Sequence, residues 1–219
     1  MDESLYLRDP QSSRRGLAIL SGGIIQMDAM GFEKFTFKRL AQEIGSTEAT
    51  IYRYFENKHH LLQYLVGWYW TLVSFKIDFA LRNIAEPMTK LRICLQVLSH
   101  TQPGLVFDAI EEAALRRIVI SELDKIYLTK KVDKDYKDGA LAPFRDACKK
   151  IADIIKEVDP HYPFPNSLTS SAVHASVHQV YFTKHLPVLS DFTNDPQRLH
   201  QNLHLFLESF VLNALHRRI

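Results

Sequence analysis

Residues 35–62 read FTFKRLAQEIGSTEATIYRYFENKHHLL, and this stretch decides how the whole chain is interpreted. Its first part predicts a short helix from Phe37 to Ile44, because apolar residues recur there at the spacing of one helix face. Thr36 is a suitable N-cap, since its hydroxyl can accept a hydrogen bond from a free backbone N–H of the first turn. Gly45 follows as the residue that ends the helix in a left-handed conformation. The stretch therefore begins with a capped helix and a tight turn.

A second short helix starts directly after this turn, with Ser46 or Thr47 as its N-cap. Ile51 and Phe55 stand four residues apart, which predicts that both face inward. The opposite face carries a small, a phenolic and a basic residue: Ala49, Tyr52 and Arg53. A short helix that exposes such residues is typical of proteins that read DNA.

The chemistry of this outward face suits a DNA groove. A guanidinium can pair with guanine or bind phosphate, and a phenol hydroxyl can reach a backbone oxygen. Asn57 caps a third, longer helix, and Lys58 in its first turn would add an ammonium to the free N–H groups that bind phosphate. The alternative is an ordinary helical hairpin with a polar outside. The succession of cap, glycine turn, second cap, aromatic and basic face, and third cap favours DNA binding.

The run from Gly45 to Lys58, followed by Leu61, resembles the TetR-type transcriptional regulators. Their pattern is a glycine turn, Ser or Thr, then Thr-Leu-Tyr-x-Tyr-Phe-x-x-Lys-x-x-Leu. The resemblance extends back to Ile19 and covers about the first quarter of the chain. By position, it implies phosphate or base contacts from seven residues: Thr36, Thr47, Thr50, Tyr52, Arg53, Tyr54 and Lys58.

Three departures from the family pattern concern the strength and sequence of the DNA target. Gly22 and Gly23 stand where the family usually has two alanines, so we expect the first helix to be either soft or closely packed. Ser46 replaces a usual hydrophobic residue in the turn. Glu48 replaces a frequently basic residue, and its carboxylate repels phosphate but could accept from cytosine N4.

Composition narrows the classes of protein that fit. The 219 residues include 46% hydrophobic ones, and 27 basic and 25 acidic residues leave a net charge of only +2. Nonspecific coating of nucleic acid is therefore not expected, and DNA binding must come from the placement of charge. No stretch approaches the ~18 apolar residues of a membrane span, so we expect a cytoplasmic protein without a membrane partner. Cys94 and Cys148 fit two buried thiols in a reducing cytosol, with a redox switch as the alternative.

Beyond residue 60 the sequence lacks strand-like alternation, and the predicted fold class is all-α. Long helices are predicted from Leu61 to Arg82 and from Leu105 to about Leu128, and the charged residues 129–143 predict a loop or frayed helix end. We therefore expect an N-terminal three-helix helix-turn-helix domain at residues 1–60 and a C-terminal helical bundle at residues 61–219.

The resemblance implies that this bundle holds a ligand pocket and that its last two helices form a homodimer. These helices are predicted at Ser167–His185 and Pro196–Arg217. A single helix-turn-helix also needs a second copy, because two half-sites about 34 Å apart supply the missing affinity. The alternative is that both helices complete a monomer core. Aromatic residues that could line the pocket or belong to the core are Tyr64, Trp68, Phe107, Tyr127, Phe144, Tyr181 and Phe182.

Histidines form the one other constellation that the sequence offers. His174 and His178, and again His200 and His204, stand four residues apart and could bind a transition metal from adjacent helices. The alternative is surface or interface histidines, since no cysteine or Glu-x-x-His partner completes a ligand set. We expect no metal, no cofactor and no catalytic residues.

Three functions remain to be weighed. The first is a dimeric repressor that reads a palindromic operator in double-stranded DNA and is released by a small-molecule effector. The second is a DNA-binding protein without an effector. The third is a helical-bundle metalloprotein or enzyme that uses the paired histidines, against which stands the lack of a nucleophile-base or phosphate-loop signature.

Overall fold

The computed structural model describes residues 5–100 and 109–216, and within these ranges all regular secondary structure is helical. The predicted all-α class is confirmed. The helices are α1 (Arg14–Lys34), α2 (Phe37–Glu43), α3 (Glu48–Tyr52), α4 (Lys58–Ala80), α5 (Pro87–Ser99), α6 (Ala109–Glu122), α7 (Asp124–Tyr127), α8 (Val132–Lys137), α9 (Ala142–Val158), α10 (Pro165–His185) and α11 (Pro196–His216). Single 3-10 turns lie at Pro10–Ser12 and Pro187–Leu189.

By its internal contacts the chain divides into two compact units. The first comprises Met1–Trp70 and Val106–Phe144, and the second comprises Thr71–Leu105 and Arg145–Ile219. This is a division by packing. The boundary at residue 60 concerns function, DNA contact on one side and ligand binding and dimerisation on the other, and it stays a prediction.

In the first unit α1 is the central element, and its glycines allow the helix-turn-helix to pack closely. Gly22 and Gly23 are buried. A Cβ on Gly22 would lie 2.8 Å from side-chain atoms of Leu40 and Ile44, and one on Gly23 would lie 3.2 Å from Leu61. Of the two alternatives expected for this helix, soft or closely packed, the structure shows close packing. A methyl group on Gly22 would force the side chains of Leu40 and Ile44 to shift.

The other face of α1 packs against α6. Arg117 of α6 donates from Nε and Nη2 to the two carboxylate oxygens of Asp28, at 2.8 and 2.6 Å. Near its end α1 bends at Gly31, whose φ is 76°. The backbone N–H of the next residue, Phe32, donates to the buried carboxylate of Glu122 at 3.1 Å, and Lys125 donates to the other oxygen of that carboxylate at 2.6 Å.

Two predicted elements of the first unit differ from the structure. The helix predicted up to Leu128 ends at Glu122 and restarts as the four-residue α7, and residues 105–108 of that prediction lie outside the described ranges. The charged stretch predicted as a loop or frayed helix end contains the short helix α8, none of whose residues is buried. Acidic residues in its first turn and basic residues in its last turn complement the helix dipole, which favours this helix without burial.

In the second unit α5, α10 and α11 pack on one another. α5 begins at Pro87, as expected for proline in a first turn, and Glu86 caps it by accepting from the backbone of Met88 at 2.8 Å. Arg92 of α5 forms an ion pair with Glu208 of α11. In the parts of the chain that the structure describes, none of the helices combines the length and the apolar character that crossing a membrane requires.

Candidate nucleic-acid interface

The turn between α2 and α3 is set by local backbone chemistry. Thr36 caps α2 and accepts from Arg39 N–H at 3.3 Å. Gly45 has a φ of 61°, and its left-handed conformation lets Ser46 N–H donate to the carbonyl of Ala41 at 2.8 Å. This bond satisfies a carbonyl at the end of α2 and fixes the direction in which the chain leaves it. The predicted helix, glycine turn and cap are all present.

Thr47 rather than Ser46 is the N-cap of α3. Its hydroxyl oxygen accepts from Thr50 N–H at 3.3 Å, and the two threonine hydroxyl oxygens are 3.0 Å apart. Ser46 has a different partner, because Arg15 at the start of α1 donates to its hydroxyl at 3.4 Å. Thr36 and Thr47 are exposed and Thr50 is half-buried, so all three side chains are at least partly accessible from solvent.

The outward face of α3 carries the predicted reading residues. Tyr52 is 49% exposed, and its ring packs edge-on against Phe37 of α2 at 5.1 Å. Arg53 is exposed and forms the C-cap of α3, and Ala49 is exposed beside them. Ile51 and Phe55 are completely buried, as predicted. A phenol held by one aromatic contact and a solvent-facing guanidinium next to it can both reach a groove without rearrangement of the core.

Tyr54 is buried, whereas the family pattern implied that its side chain contacts DNA. The residue is only 3% exposed, and its hydroxyl is hydrogen-bonded to the hydroxyl of Ser13 at 2.8 Å. Its carbonyl accepts from Leu7 N–H at 2.8 Å. Tyr54 therefore joins α3 to the segment before α1, and a phosphate contact through its hydroxyl would compete with Ser13.

Lys58 is also engaged inside the protein rather than free at its surface. Its ammonium donates to three backbone carbonyls at the end of α1, those of Phe32 at 3.0 Å, Glu33 at 3.2 Å and Phe35 at 3.2 Å. The same nitrogen lies 4.5 Å from the centre of the Phe32 ring. An ammonium has three donors, so the geometry makes Lys58 a cap of α1, whose C-terminus attracts cations. Its predicted phosphate contact would require these bonds to open.

Basic residues outside the predicted set also surround the turn. Arg14 and Arg15 of α1 and Lys38 and Arg39 of α2 are exposed. Arg15 reaches the helix-turn-helix directly through Ser46. In the sequence Arg15 stands out only as one of two adjacent arginines, and its partner Ser46 lies 31 residues away. Glu48 is exposed in the first turn of α3, so its carboxylate faces the same solvent as these cations.

The cysteines and the histidine pair on α10 are the other groups whose chemistry the sequence singled out. Burial raises the pKa of the Cys94 and Cys148 thiols to about 12, which keeps both protonated and unreactive. The rings of His174 and His178 are 5.8 Å apart, but His174 Nδ1 is bonded to the carbonyl of Ser170 at 2.8 Å. Within residues 5–100 and 109–216, no three side chains of the metal-binding types are arranged to hold an ion.

Comparison with known proteins matches this region and this fold. Residues 19–65 match the family model described as bacterial regulatory proteins, tetR family. The nucleoid occlusion factor SlmA of Haemophilus influenzae (strain PittGG) is 32% identical over 78 residues, which are 34% of this chain and 36% of that protein. The chain thus spans about a third of the length of that relative.

Two solved structures share the fold over most of both chains. The fatty acid degradation regulator FadR from Bacillus halodurans superposes with a TM-score of 0.62 at 15% identity, covering 89% of this chain and 95% of that one. AibR in complex with isovaleryl coenzyme A and operator DNA gives a TM-score of 0.58 at 14% identity, covering 87% and 96%. The helix-turn-helix at residues 36–58 thus lies within the region that matches the tetR family model, and the chain has the fold of these two regulators.

Proposed function

We propose that this protein is a dimeric transcriptional repressor that reads a palindromic operator and is released by a small molecule. The observation that carries the DNA-reading part is the exposed pair Tyr52 and Arg53 on α3, held outward by the buried Ile51 and Phe55. Such a regulator acts in the cytoplasm, where the chromosome lies.

The roles of the seven predicted contact residues follow from their surroundings. Tyr52 and Arg53 read bases, because their side chains are exposed on the outward face of α3. Thr36, Thr47 and Thr50 bind phosphates, since hydroxyls and helix N-termini donate to phosphate oxygens. Tyr54 and Lys58 position the reading helix through Ser13 and through the end of α1. Arg15 joins the phosphate contacts.

Dimerisation through α10 and α11 is supported by apolar side chains that α11 leaves in solvent. Leu205 is 62% exposed, Phe206 36% and Phe210 38%, and the two phenylalanine rings stack at 6.1 Å. Exposed aromatic and aliphatic clusters of this kind mark interaction surfaces. A second copy would cover them and supply the second helix-turn-helix that a palindrome requires.

Binding of a small-molecule effector is supported by AibR, a protein of the same fold whose structure holds isovaleryl coenzyme A together with operator DNA. A second solved structure of this fold, from Saccharomonospora viridis, holds choline. For release, the effector must bind the conformation that does not bind DNA more tightly than the one that does.

The second candidate function is DNA binding without an effector. It is favoured by the match of the N-terminal region to a nucleoid occlusion factor. A panel of small molecules separates the two: release of operator DNA by any of them supports the repressor, and unchanged affinity throughout supports the second candidate.

The first experiment is the selection of bound sites from random duplex DNA. Wild type should enrich a palindrome, and Tyr52→Ala and Arg53→Ala should lose or change the bases preferred within each half-site. Tyr136→Ala is the matched control, because Tyr136 is 52% exposed but lies on α8. Thr47→Ala should instead weaken binding to all sequences and leave the salt slope unchanged, because the lost hydroxyl carries no charge. An unchanged base preference in both α3 variants would refute the proposed reading role.

A further inference from the structure

A small cavity lies in the first compact unit between α4, α7 and the start of α9. Its free volume is about 10 Å³, roughly the room that one water molecule needs. Aromatic rings form much of its wall, since Tyr127 and Phe144 stack at 4.6 Å and Trp70 meets Phe144 edge-on at 5.0 Å. Of the described residues that line it, Gln63 carries an amide and Tyr127 a phenol, and none carries a charge. The site is therefore largely apolar, rich in aromatic rings and uncharged.

Trp70, which lines this cavity, has a buried N–H group that lacks a hydrogen-bond acceptor among the described residues. The residue is only 1% exposed. A buried donor without a partner is unfavourable, because it has given up its bond to water and gained none in return. An acceptor atom within hydrogen-bonding reach of this N–H would remove the penalty.

One wall of the cavity belongs to the segment that joins α7 to α9. Residues 128–141, which we call the strap, connect α7 to α9 and include α8, a helix without buried residues. Asp135 of the strap accepts from the side-chain amide of the buried Gln63 at 2.8 Å. Gly139 has a φ of 87°, and the adjoining Ala140 and Leu141 are the strap residues that line the cavity. Movement of the strap about this glycine would enlarge the cavity and leave α4 in place.

We propose that the strap opens to admit a small, flat, uncharged molecule that carries a hydrogen-bond acceptor such as a carbonyl. The carbonyl accepts from the Trp70 N–H, and the apolar body packs against the rings of Tyr127 and Phe144. The inference rests on the proposed function, for which it names the chemical class of the effector and its site.

Two probes of similar shape test the acceptor requirement. Acetophenone carries a carbonyl, and ethylbenzene does not. The indole N–H signals of the two tryptophans are followed by proton–nitrogen NMR, and Trp68→Phe identifies the signal of Trp70. We expect acetophenone to move the Trp70 signal and to bind about tenfold more tightly than ethylbenzene, the ratio of one modest hydrogen bond. In Trp70→Phe the two probes should bind equally.

A second variant keeps the test decisive if Trp70→Phe does not fold. Ala140→Leu fills the cavity from the strap and leaves the indole unchanged, so it should abolish binding of both probes while the Trp70 signal persists. Equal affinity of the two probes in wild type would overturn the proposal. So would a Trp70 signal that stays in contact with a long-lived water at saturating acetophenone, because the cavity then holds one structural water only. Selection of operator DNA does not involve this cavity. Equal binding of the two probes would therefore leave the proposed DNA reading unaffected, and failure to enrich a palindrome would leave the probe result unaffected.

Discussion

Replacing Lys58 by methionine separates its structural role from a phosphate contact. Methionine keeps the apolar stem but removes the ammonium that donates to the carbonyls of Phe32, Glu33 and Phe35. If Lys58 acts as the cap of α1, the protein should lose stability without any DNA present. If it only binds phosphate, stability should not change.

The magnitude follows from the contacts of Lys58. Hydrogen bonds to a charged group contribute about 1.5–3 kcal/mol. We count the three bonds as one such contribution, since they share a single half-buried cation. The charge at the C-terminus of α1 and the cation–π contact with Phe32 at 4.5 Å add about 0.5–1 kcal/mol. Lys58→Met should therefore lower the free energy of unfolding by about 2–4 kcal/mol.

Urea denaturation followed by circular dichroism measures this loss, and Lys38→Met is the control. Lys38 is an exposed cation on α2, and its replacement should change the free energy of unfolding by less than about 0.5 kcal/mol. An unchanged urea midpoint for Lys58→Met, together with a DNA-binding salt slope lowered by about 1, would refute the capping role and restore the phosphate contact.

Two further predictions concern stability. Gly22→Ala gains about 1 kcal/mol of helix propensity, but its methyl, 2.8 Å from neighbouring side chains, costs about 1–3 kcal/mol. Urea denaturation should show a net loss of up to about 2 kcal/mol, while Gly23→Ala, whose methyl would lie 3.2 Å from the side chain of Leu61, should lose less because its neighbour has to shift less; the reverse order would contradict the packing of α2 on α1. Burial lowers the pKa of His59 from 6.5 against the opposing effect of a nearby carboxylate. The folded state thus favours neutral imidazole, and stability is complete above pH 6.5 and lost as pH falls through the lowered pKa. Thermal melts between about pH 7.5 and pH 5 should show a smaller loss for His59→Gln, and equal losses would exclude this residue as the cause.

Local chemistry was enough to predict the helix-turn-helix. Thr36, Gly45 and Thr47 act on groups within five residues of themselves, so caps and turn can be inferred from the chain alone. The inward direction of Ile51 and Phe55 follows from their spacing on a helix, and the structure confirms it.

The residues whose surroundings the sequence did not reveal are those whose partners are distant in sequence. Tyr54 bonds to Ser13, 41 residues away, and Lys58 bonds to carbonyls 23–26 residues away. A polar side chain next to a predicted DNA-binding helix has the same local pattern whether it meets phosphate or its own fold. Only the tertiary structure distinguishes a cap of α1 from a contact to DNA.

The bend at Gly31 limits which segments of this protein can be exchanged with those of a relative. It leaves the N–H of Phe32 to be satisfied by Glu122, while Arg117 holds Asp28 on the same helix. Both partners come from α6, about 90 residues further along the chain. A hybrid that takes residues 1–70 from this protein and the remainder from a relative would leave an unpaired N–H group and an unpaired carboxylate at the end of α1. If α3 reads DNA as proposed, we expect exchange of DNA specificity to succeed through α3 alone or to require the transfer of α6 together with α1.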